Sequence, residues 1–309
     1  MIGISPYHSS RSLSAGRVHF NRLDQILFFS ILASVVIGVS LLAVNEYFFH
    51  YPMNDYLLPG WPIVLSYSLI ILTVGYYIKP QSEFLFFILY VFLIMQIIAL
   101  CSQLLINAAQ TTPFPLLDPY LLAFDESFGF STTTLLNWSA AHPAVFKTFL
   151  FSYAFVVLEV ILIPVFLVCL KDYQRIQIYF ILLLGSHLTG IVIYYCFPSI
   201  GPFLLIDNPH YLAIFSKITK QYMDIHQYIQ PSVQCAGLIS FPSLHILWIL
   251  IMTYILWPYR WIGIPFGIMN TLAALATLCL GYHYFADIIA SLTLFVGIGL
   301  PLALYLKIQ

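Results

Sequence analysis

A histidine and an aspartate stand four residues apart in the segment Gly281-Tyr-His-Tyr-Phe-Ala-Asp287, where an apolar stretch begins. On a helix, this spacing brings His283 and Asp287 onto one face, so that the carboxylate can hold one ring nitrogen. The other ring nitrogen stays basic and can act as a nucleophile. A second histidine, His245, opens another apolar stretch in the segment Ser240-Phe-Pro-Ser-Leu-His245. It is the candidate acid for the same reaction.

The composition places these residues in a membrane protein. Of the 309 residues, 61% are hydrophobic and 7% are charged, and the mean hydropathy is +0.94. Apolar runs of this length cross a bilayer as helices, because exposed backbone polar groups are too costly in lipid. The sequence therefore predicts an all-α fold, a polytopic membrane helix bundle without a separate soluble domain. The net charge of -1 and the scattered charges indicate no nucleic-acid partner.

Hydropathy and turn residues predict about eight transmembrane helices. The sixth is short and meets the seventh through a tight turn at Pro258 to Trp261. The eight predicted spans are 26–44, 61–78, 84–108, 145–170, 176–196, 242–257, 262–280 and 284–306.

The basic residues predict the orientation of the bundle, since loops rich in Lys and Arg stay in the cytoplasm. If the spans alternate, one side receives most of the basic residues, and both termini fall on that side. The large connections 110–144 and 197–241 then lie outside. Cys196 and Cys235 lie near or in the second connection and could form a disulfide, although free thiols are slightly favoured. The basic residues on the predicted cytoplasmic side are Arg11, Arg17, Arg22, Lys79, Lys171, Arg175, Arg260 and Lys307.

With this parity, the sixth and eighth spans both begin on the outer side, so His245 and His283 reach the same membrane face. Both histidines are predicted in first helical turns, where free N–H groups and the helix dipole favour an anion. The hydroxyls of Ser240 and Ser243 can cap the helix or donate to a phosphate oxygen. The sequence predicts a phosphate pocket at the outer interface.

The two motifs together resemble the second and third signatures of the type 2 phosphatidic acid phosphatase superfamily. The resemblance is closest to its branch that contains the inositol phosphorylceramide synthases. The segment Phe197-Pro-Ser-Ile-Gly-Pro202 is similar to that branch's replacement for the first signature, although Pro and Gly also commonly end helices. A weaker resemblance covers 117–143 with Asp118 and Asp125. Within it, the segment around Asp125 predicts an interfacial amphipathic helix, for which anchoring in lipid is favoured over packing at the mouth of the site; its apolar residues are Leu121, Leu122, Phe124 and Phe128.

This resemblance implies a two-step phosphoryl transfer without metal or cofactor. His283 would form a phosphohistidine, Asp287 would orient it, and His245 would protonate the leaving alkoxide. The sequence lacks the superfamily's phosphate-binding Lys and Arg residues, and Thr277 stands six residues before His283 where an Arg is common. The predicted phosphate-binding residues are Ser243, Ser240, Gly201, Lys217 and Lys220, although a solvated loop face is the favoured interpretation of the two lysines.

We therefore expect residues 1–110 to hold an N-terminal cytoplasmic segment and three spans, and residues 111–309 to form the catalytic membrane core. The expected activity is that of a lipid phosphotransferase or phosphatase whose partners are a membrane lipid and a lipid or water acceptor. A multi-pass protein of a bacterial inner membrane, or of a eukaryotic Golgi or ER-type membrane, fits these features. The alternative is a non-enzymatic lipid-binding or transport protein that uses the same anion pocket.

Overall fold

The computed structural model describes residues 22–51, 61–78, 82–229, 231 and 239–307, and these residues form an all-α bundle. Arg11, Arg17, Lys79 and Cys235, on which parts of the predicted orientation and disulfide depend, lie outside the described residues. A short 3-10 turn, Pro202–Leu204, lies between α7 and α8. The described helices are α1 (Arg22–Phe49), α2 (Trp61–Ile78), α3 (Glu83–Gln110), α4 (Asp118–Ser127), α5 (Thr132–Ala141), α6 (Pro143–Cys169), α7 (Tyr173–Cys196), α8 (Ala213–His226), α9 (Leu244–Leu256), α10 (Arg260–Cys279) and α11 (Phe285–Lys307).

The spans predicted from hydropathy correspond to eight of these helices. Within the described residues, six are long and apolar enough to cross a membrane: α1, α3, α6, α7, α10 and α11. The other two are α2, with 18 residues, and α9, an apolar helix of 13 residues. At a rise of about 1.5 Å per residue, α9 is shorter than the roughly 30 Å hydrocarbon core. The prediction of a polytopic helix bundle is confirmed, and the number of spans is approximate.

Helix α7 occupies the centre of the bundle. It packs against α1 and α3 on one side and against α9, α6 and α11 on the other. Its side chains are buried along most of its length, including Tyr179, Leu184, Ile191 and Tyr194. A helix that is apolar all round belongs in such an interior position. By contrast, α2 packs mainly against α3 and exposes large apolar side chains, as expected of a helix that faces lipid.

The connections between spans gather at two ends of the bundle with different chemistry. One end holds the last turn of α7, the first turns of α9 and α11, and the short helices α4, α5 and α8. The opposite end holds Arg175, which contacts Asp172 at 3.2 Å and donates to the carbonyl of Ile255 at 3.4 Å. Lys171 and Arg260 lie at this same end, over the rings of Phe84 and Trp257. These three cations are among those from which the cytoplasmic side is predicted, and the orientation stays a prediction.

The predicted orientation can be tested with single cysteines at exposed positions in the two ends. An Asp207→Cys variant should react with a membrane-impermeant maleimide in intact cells, because Asp207 is exposed beside the outer 3-10 turn. An Arg260→Cys variant should react only after permeabilisation. The exposed Cys169 and Cys196, together with Cys235 of the second predicted outer connection, would first be replaced by Ser, and that variant serves as the unlabelled control. Labelling of the Arg260→Cys variant in intact cells would contradict the orientation.

Candidate active site

The His283 imidazole lies in a buried pair with Asp287, as the four-residue spacing predicts. The ring nitrogen Nδ1 lies 3.0 Å from Asp287 Oδ2, and the two residues are 4% and 0% exposed. One detail of the prediction is wrong: His283 is not in the first helical turn. It lies in the turn between α10 and α11, two residues before Phe285 begins the helix, and its N–H donates to the Thr277 carbonyl at 3.0 Å. Asp287 alone belongs to the first turn of α11.

Two serines from the segment before α9 complete the surroundings of His283. The Ser240 hydroxyl donates to Asp287 Oδ2 at 2.8 Å and lies 3.2 Å from His283 Nδ1. The Ser243 hydroxyl lies 3.1 Å from His283 Nε2 and also caps α9 by accepting from the Ile246 N–H at 3.3 Å. Because the carboxylate of Asp287 can only accept, Nδ1 carries the hydrogen and Nε2 keeps its lone pair.

The second histidine, His245, lies in the first turn of α9 and faces the same site. Its ring centroid is 6.3 Å from that of His283. Its Nδ1 lies 3.4 Å from the hydroxyl of Tyr153 on α6, and the Tyr153 ring stacks on the imidazole at 4.6 Å. The Trp248 ring lies on the other side, at 5.1 Å. Residues 38 positions apart in the sequence thus meet at one end of the bundle.

Gly201 plays a different part from the predicted phosphate contact. Its N–H already donates to Asp118 Oδ1 at 2.9 Å, and the N–H of Ile200 donates to the other oxygen at 3.2 Å. The hydroxyls of Ser199 and Tyr284 also donate to Asp118. Gly201 therefore belongs to a turn that Asp118 holds, and this turn positions the site because the Ser199 carbonyl accepts from the Ser240 N–H at 2.9 Å.

Asp125 positions the start of α11, the helix that carries Asp287. The Asp125 carboxylate accepts from the N–H groups of Phe285 and Ala286, at 2.7 and 3.0 Å, and so caps the free amides at the start of α11. The sequence indicated an interfacial amphipathic helix here, but α4 turns both of its aspartates inward. Burial raises the pKa of Asp125 and of Asp118, and hydrogen bonds from backbone N–H groups oppose this shift. An acid that caps a helix distant in the sequence forms no local motif with it. A single sequence therefore gives no signal for this contact.

The structure does not bring the two predicted phosphate-binding lysines to the histidines. Lys217 and Lys220 are exposed on α8, whose buried face includes Phe215 and Ile218. The Phe215 ring packs edge-on against Tyr282, at 4.8 Å, so α8 covers the turn before His283 with apolar side chains. In the described part of the chain, the hydrogen bonds of the two histidines and Asp287 involve no Lys or Arg.

The fold and this site define a multi-pass helical membrane protein with a buried His and Asp pair facing a second histidine. The family model described as PAP2 superfamily matches residues 119–300, more than half of the chain, and the protein therefore belongs to the PAP2 superfamily. Members of this superfamily are generally phosphatases and phosphotransferases, and at this level the chain is a membrane enzyme of lipid phosphoester chemistry. Neither the curated proteins nor the solved structures include a significant match to it.

Removing the cap that Asp125 provides should destabilise the site while leaving its chemical groups in place. An Asp125→Ala variant leaves two amides at the start of α11 without an acceptor, at a cost of about 1–2 kcal/mol. We expect a lower melting temperature in detergent and a lower turnover rate. The control is Glu126→Ala, the removal of a neighbouring exposed acid. Equal melting temperatures for the two variants would contradict this function of Asp125.

A Gly201→Ala variant tests the tight turn. Gly201 has φ +128°, and an added Cβ would lie 2.9 Å from the carbonyl oxygen of Tyr282. We expect a loss of stability of about 1–3 kcal/mol, because the backbone conformation is strained for alanine and the turn must move away from Tyr282. Gly297→Ala is the matched control, since a Cβ there meets nothing within 4 Å. Unchanged thermal unfolding of the Gly201→Ala variant would rule out this constraint.

Proposed function

We propose that the protein is a lipid phosphotransferase that acts at the outer face of its membrane through a phosphohistidine on His283. Water can replace the lipid acceptor in this proposal. The observation that carries this proposal is the pair of imidazoles 6.3 Å apart, one of them held by a buried carboxylate. A binding pocket for an anion has no need for a nucleophile oriented in this way. The resemblance to the inositol phosphorylceramide synthase branch supports transfer of a head group between lipids.

His283 is the proposed nucleophile because its Nε2 lone pair is available. Asp287 takes the hydrogen bond of Nδ1–H and balances the positive charge that grows on the ring during attack. The Ser243 hydroxyl near Nε2 would move its hydrogen bond from the imidazole to a phosphate oxygen when substrate arrives. Nε2 then forms a bond to phosphorus as the bond between phosphorus and the leaving oxygen breaks, with the electron pair leaving on that oxygen.

His245 is the proposed acid and then the base. In the first step it gives a proton to the leaving oxygen, which departs as an alcohol. In the second step the acceptor alcohol or water gives a proton to His245 as its oxygen bonds to phosphorus, and the bond between nitrogen and phosphorus returns its electron pair to His283. The two steps restore both histidines, and they need no metal because a histidine can act as nucleophile or acid near neutral pH.

The charges around the site favour a phosphodiester over a monoester. Phosphoryl transfer to or from a dianionic monoester usually relies on cations that neutralise the phosphate oxygens. Here the described polar neighbours of the histidines are hydroxyls, and three buried carboxylates, Asp118, Asp125 and Asp287, lie nearby. A singly charged diester is repelled less, and its transfer to an alcohol gives another diester.

We assign the catalytic core to residues 111–309 and a supporting function to the part before it. All of the proposed catalytic residues lie within the core, whereas α1 and α3 pack against the buried α7. Asn45 of α1 donates to the Ala108 carbonyl and accepts from the hydroxyl of Tyr195, close to the outer end of α7. The proposed placement of the site at the outer face is supported by the described cations at the opposite end of the bundle.

The nucleophile can be tested by rapid quench of purified protein with head-group-labelled phospholipids, with and without an alcohol acceptor. We expect an acid-labile phosphoryl-enzyme in the natural protein, at least about 1,000-fold less product in the His283→Ala variant, and slower formation of the intermediate in Asp287→Asn. His210→Ala is the control, because His210 is exposed outside the site.

The distribution of products separates transfer from hydrolysis. A lipid alcohol should compete with water and give a labelled diester in proportion to its concentration. Free phosphate from monoesters, formed at a rate that no acceptor changes, would replace the transferase proposal with that of a phosphatase. Near-natural turnover by the His283→Ala variant would reject the phosphohistidine mechanism itself.

A further inference from the structure

We infer that Tyr153 is the positioning residue for His245, through a hydrogen bond that selects the ring nitrogen from which the proton leaves. The inference rests on the proposed acid function of His245. Tyr153 lies on α6, more than ninety residues before the histidine in the sequence, and the two meet only because α6 packs against α9.

The ring of Tyr153 forms the middle of a three-ring stack at the site. It lies 4.2 Å from the Tyr282 ring, with 14° between the planes, and 4.6 Å from the His245 ring, with 20° between the planes. Tyr282 directly precedes the proposed nucleophile in the chain. The stack therefore connects the turn that carries His283 with the first turn of α9 through Tyr153.

The hydroxyl of Tyr153 contacts one of the two ring nitrogens of His245 and so distinguishes them. It lies 3.4 Å from His245 Nδ1, at the long end of hydrogen-bond distances. In the protonated imidazole both nitrogens carry hydrogen, and Nδ1–H then donates to the phenol oxygen. After Nε2 has released its proton to the leaving oxygen, Nδ1–H still donates to the same oxygen. The bond therefore fits both forms of the acid and leaves Nε2 as the atom that exchanges the proton.

The two histidines thus differ in their partners. His283 Nδ1 faces a carboxylate, which stabilises a positively charged ring and suits a group that becomes phosphorylated. His245 Nδ1 faces a neutral phenol, which orients the ring without holding the positive charge as strongly. A proton donor benefits from this weaker support, because it must give up its proton when the leaving oxygen becomes basic.

The test compares leaving groups. We would measure the single-turnover rate at which the phosphoryl-enzyme forms from two diesters that share the transferred group, one with an alkyl alcohol and one with 4-nitrophenol as leaving group. An alkoxide needs the proton of an acid, whereas 4-nitrophenolate leaves readily without one. Tyr153→Phe should slow the alkyl diester by about 10- to 100-fold, which is less than the roughly 100- to 10,000-fold contribution of general acid catalysis itself, and should change the nitrophenyl diester by less than about 3-fold.

Three further variants make the result specific. His245→Ala should show the same selective loss to a greater degree, and the double variant with Tyr153→Phe should be no slower than His245→Ala alone, because both changes act on one group. Tyr153→Leu removes the stack as well and should also lower the melting temperature. Tyr179→Phe is the control for loss of a phenol from the bundle, since the Tyr179 hydroxyl donates to the Val160 carbonyl, toward the opposite end.

The outcomes distinguish this inference from the proposed function. Suppose that His245→Ala selectively slows the alkyl diester. The positioning function of Tyr153 is then overturned if Tyr153→Phe slows both diesters equally, or slows neither. If His245→Ala itself slows both diesters equally, the proposed acid is wrong and the inference about Tyr153 falls with it. A Tyr179→Phe variant that showed the same leaving-group selectivity would also contradict the assignment.

Discussion

The arrangement of the end of the bundle that carries the site depends on one buried carboxylate oxygen, Oδ2 of Asp287. It accepts hydrogen bonds from His283 Nδ1, the hydroxyl of Ser240 and the N–H of Tyr284, at 2.8 to 3.1 Å. These donors come from two segments, the one before α9 and the turn between α10 and α11. An ionised carboxylate in an apolar bundle is costly unless donors surround it, so the segments are held together where the charge lies. The same bonds orient the imidazole.

A second layer of carboxylates positions the backbone around this pair. Asp118 accepts hydrogen bonds from the amides of the turn after α7, and Asp125 accepts from the first amides of α11. Both come from α4, a short helix that crosses no membrane. Since buried backbone N–H groups need partners, an acid on a neighbouring helix can hold an irregular segment that no regular hydrogen bonding would hold. The result is a polar end on an otherwise apolar bundle. Buried acids organise the backbone of this end, whereas sites of phosphate chemistry usually contain cations.

In the described residues, the two histidines and Asp287 have no hydrogen-bonded Lys or Arg, and this sets a condition on the chemistry. Among the described residues, the groups beside the histidines that could stabilise a phosphate are the serine hydroxyls and the imidazoles themselves, because Asp125 already accepts from the first amides of α11. Such donors are directional and weak compared with a guanidinium, so they discriminate by geometry more than by total charge. The proposed preference for diesters follows from this property. With weak electrostatic support for the phosphate, the proposed catalysis depends on where the acid holds its proton, and Tyr153 is inferred to fix that position.

The sequence by itself determined the membrane-embedded helical class, the spans within a few residues, and the superfamily. Hydropathy suffices for the first two because lipid leaves the backbone few choices, and the superfamily follows from motifs that are local in the chain. It also predicted the contact of His283 with Asp287, since four residues span one turn even though His283 lies just before the helix. The tertiary structure decided the rest. It turned Asp118 and Asp125 inward, assigned the Gly201 amide to Asp118, left Lys217 and Lys220 exposed, and placed Tyr153 on His245. These outcomes depend on which helix faces meet, and hydropathy along one chain does not contain the relative rotation of two helices.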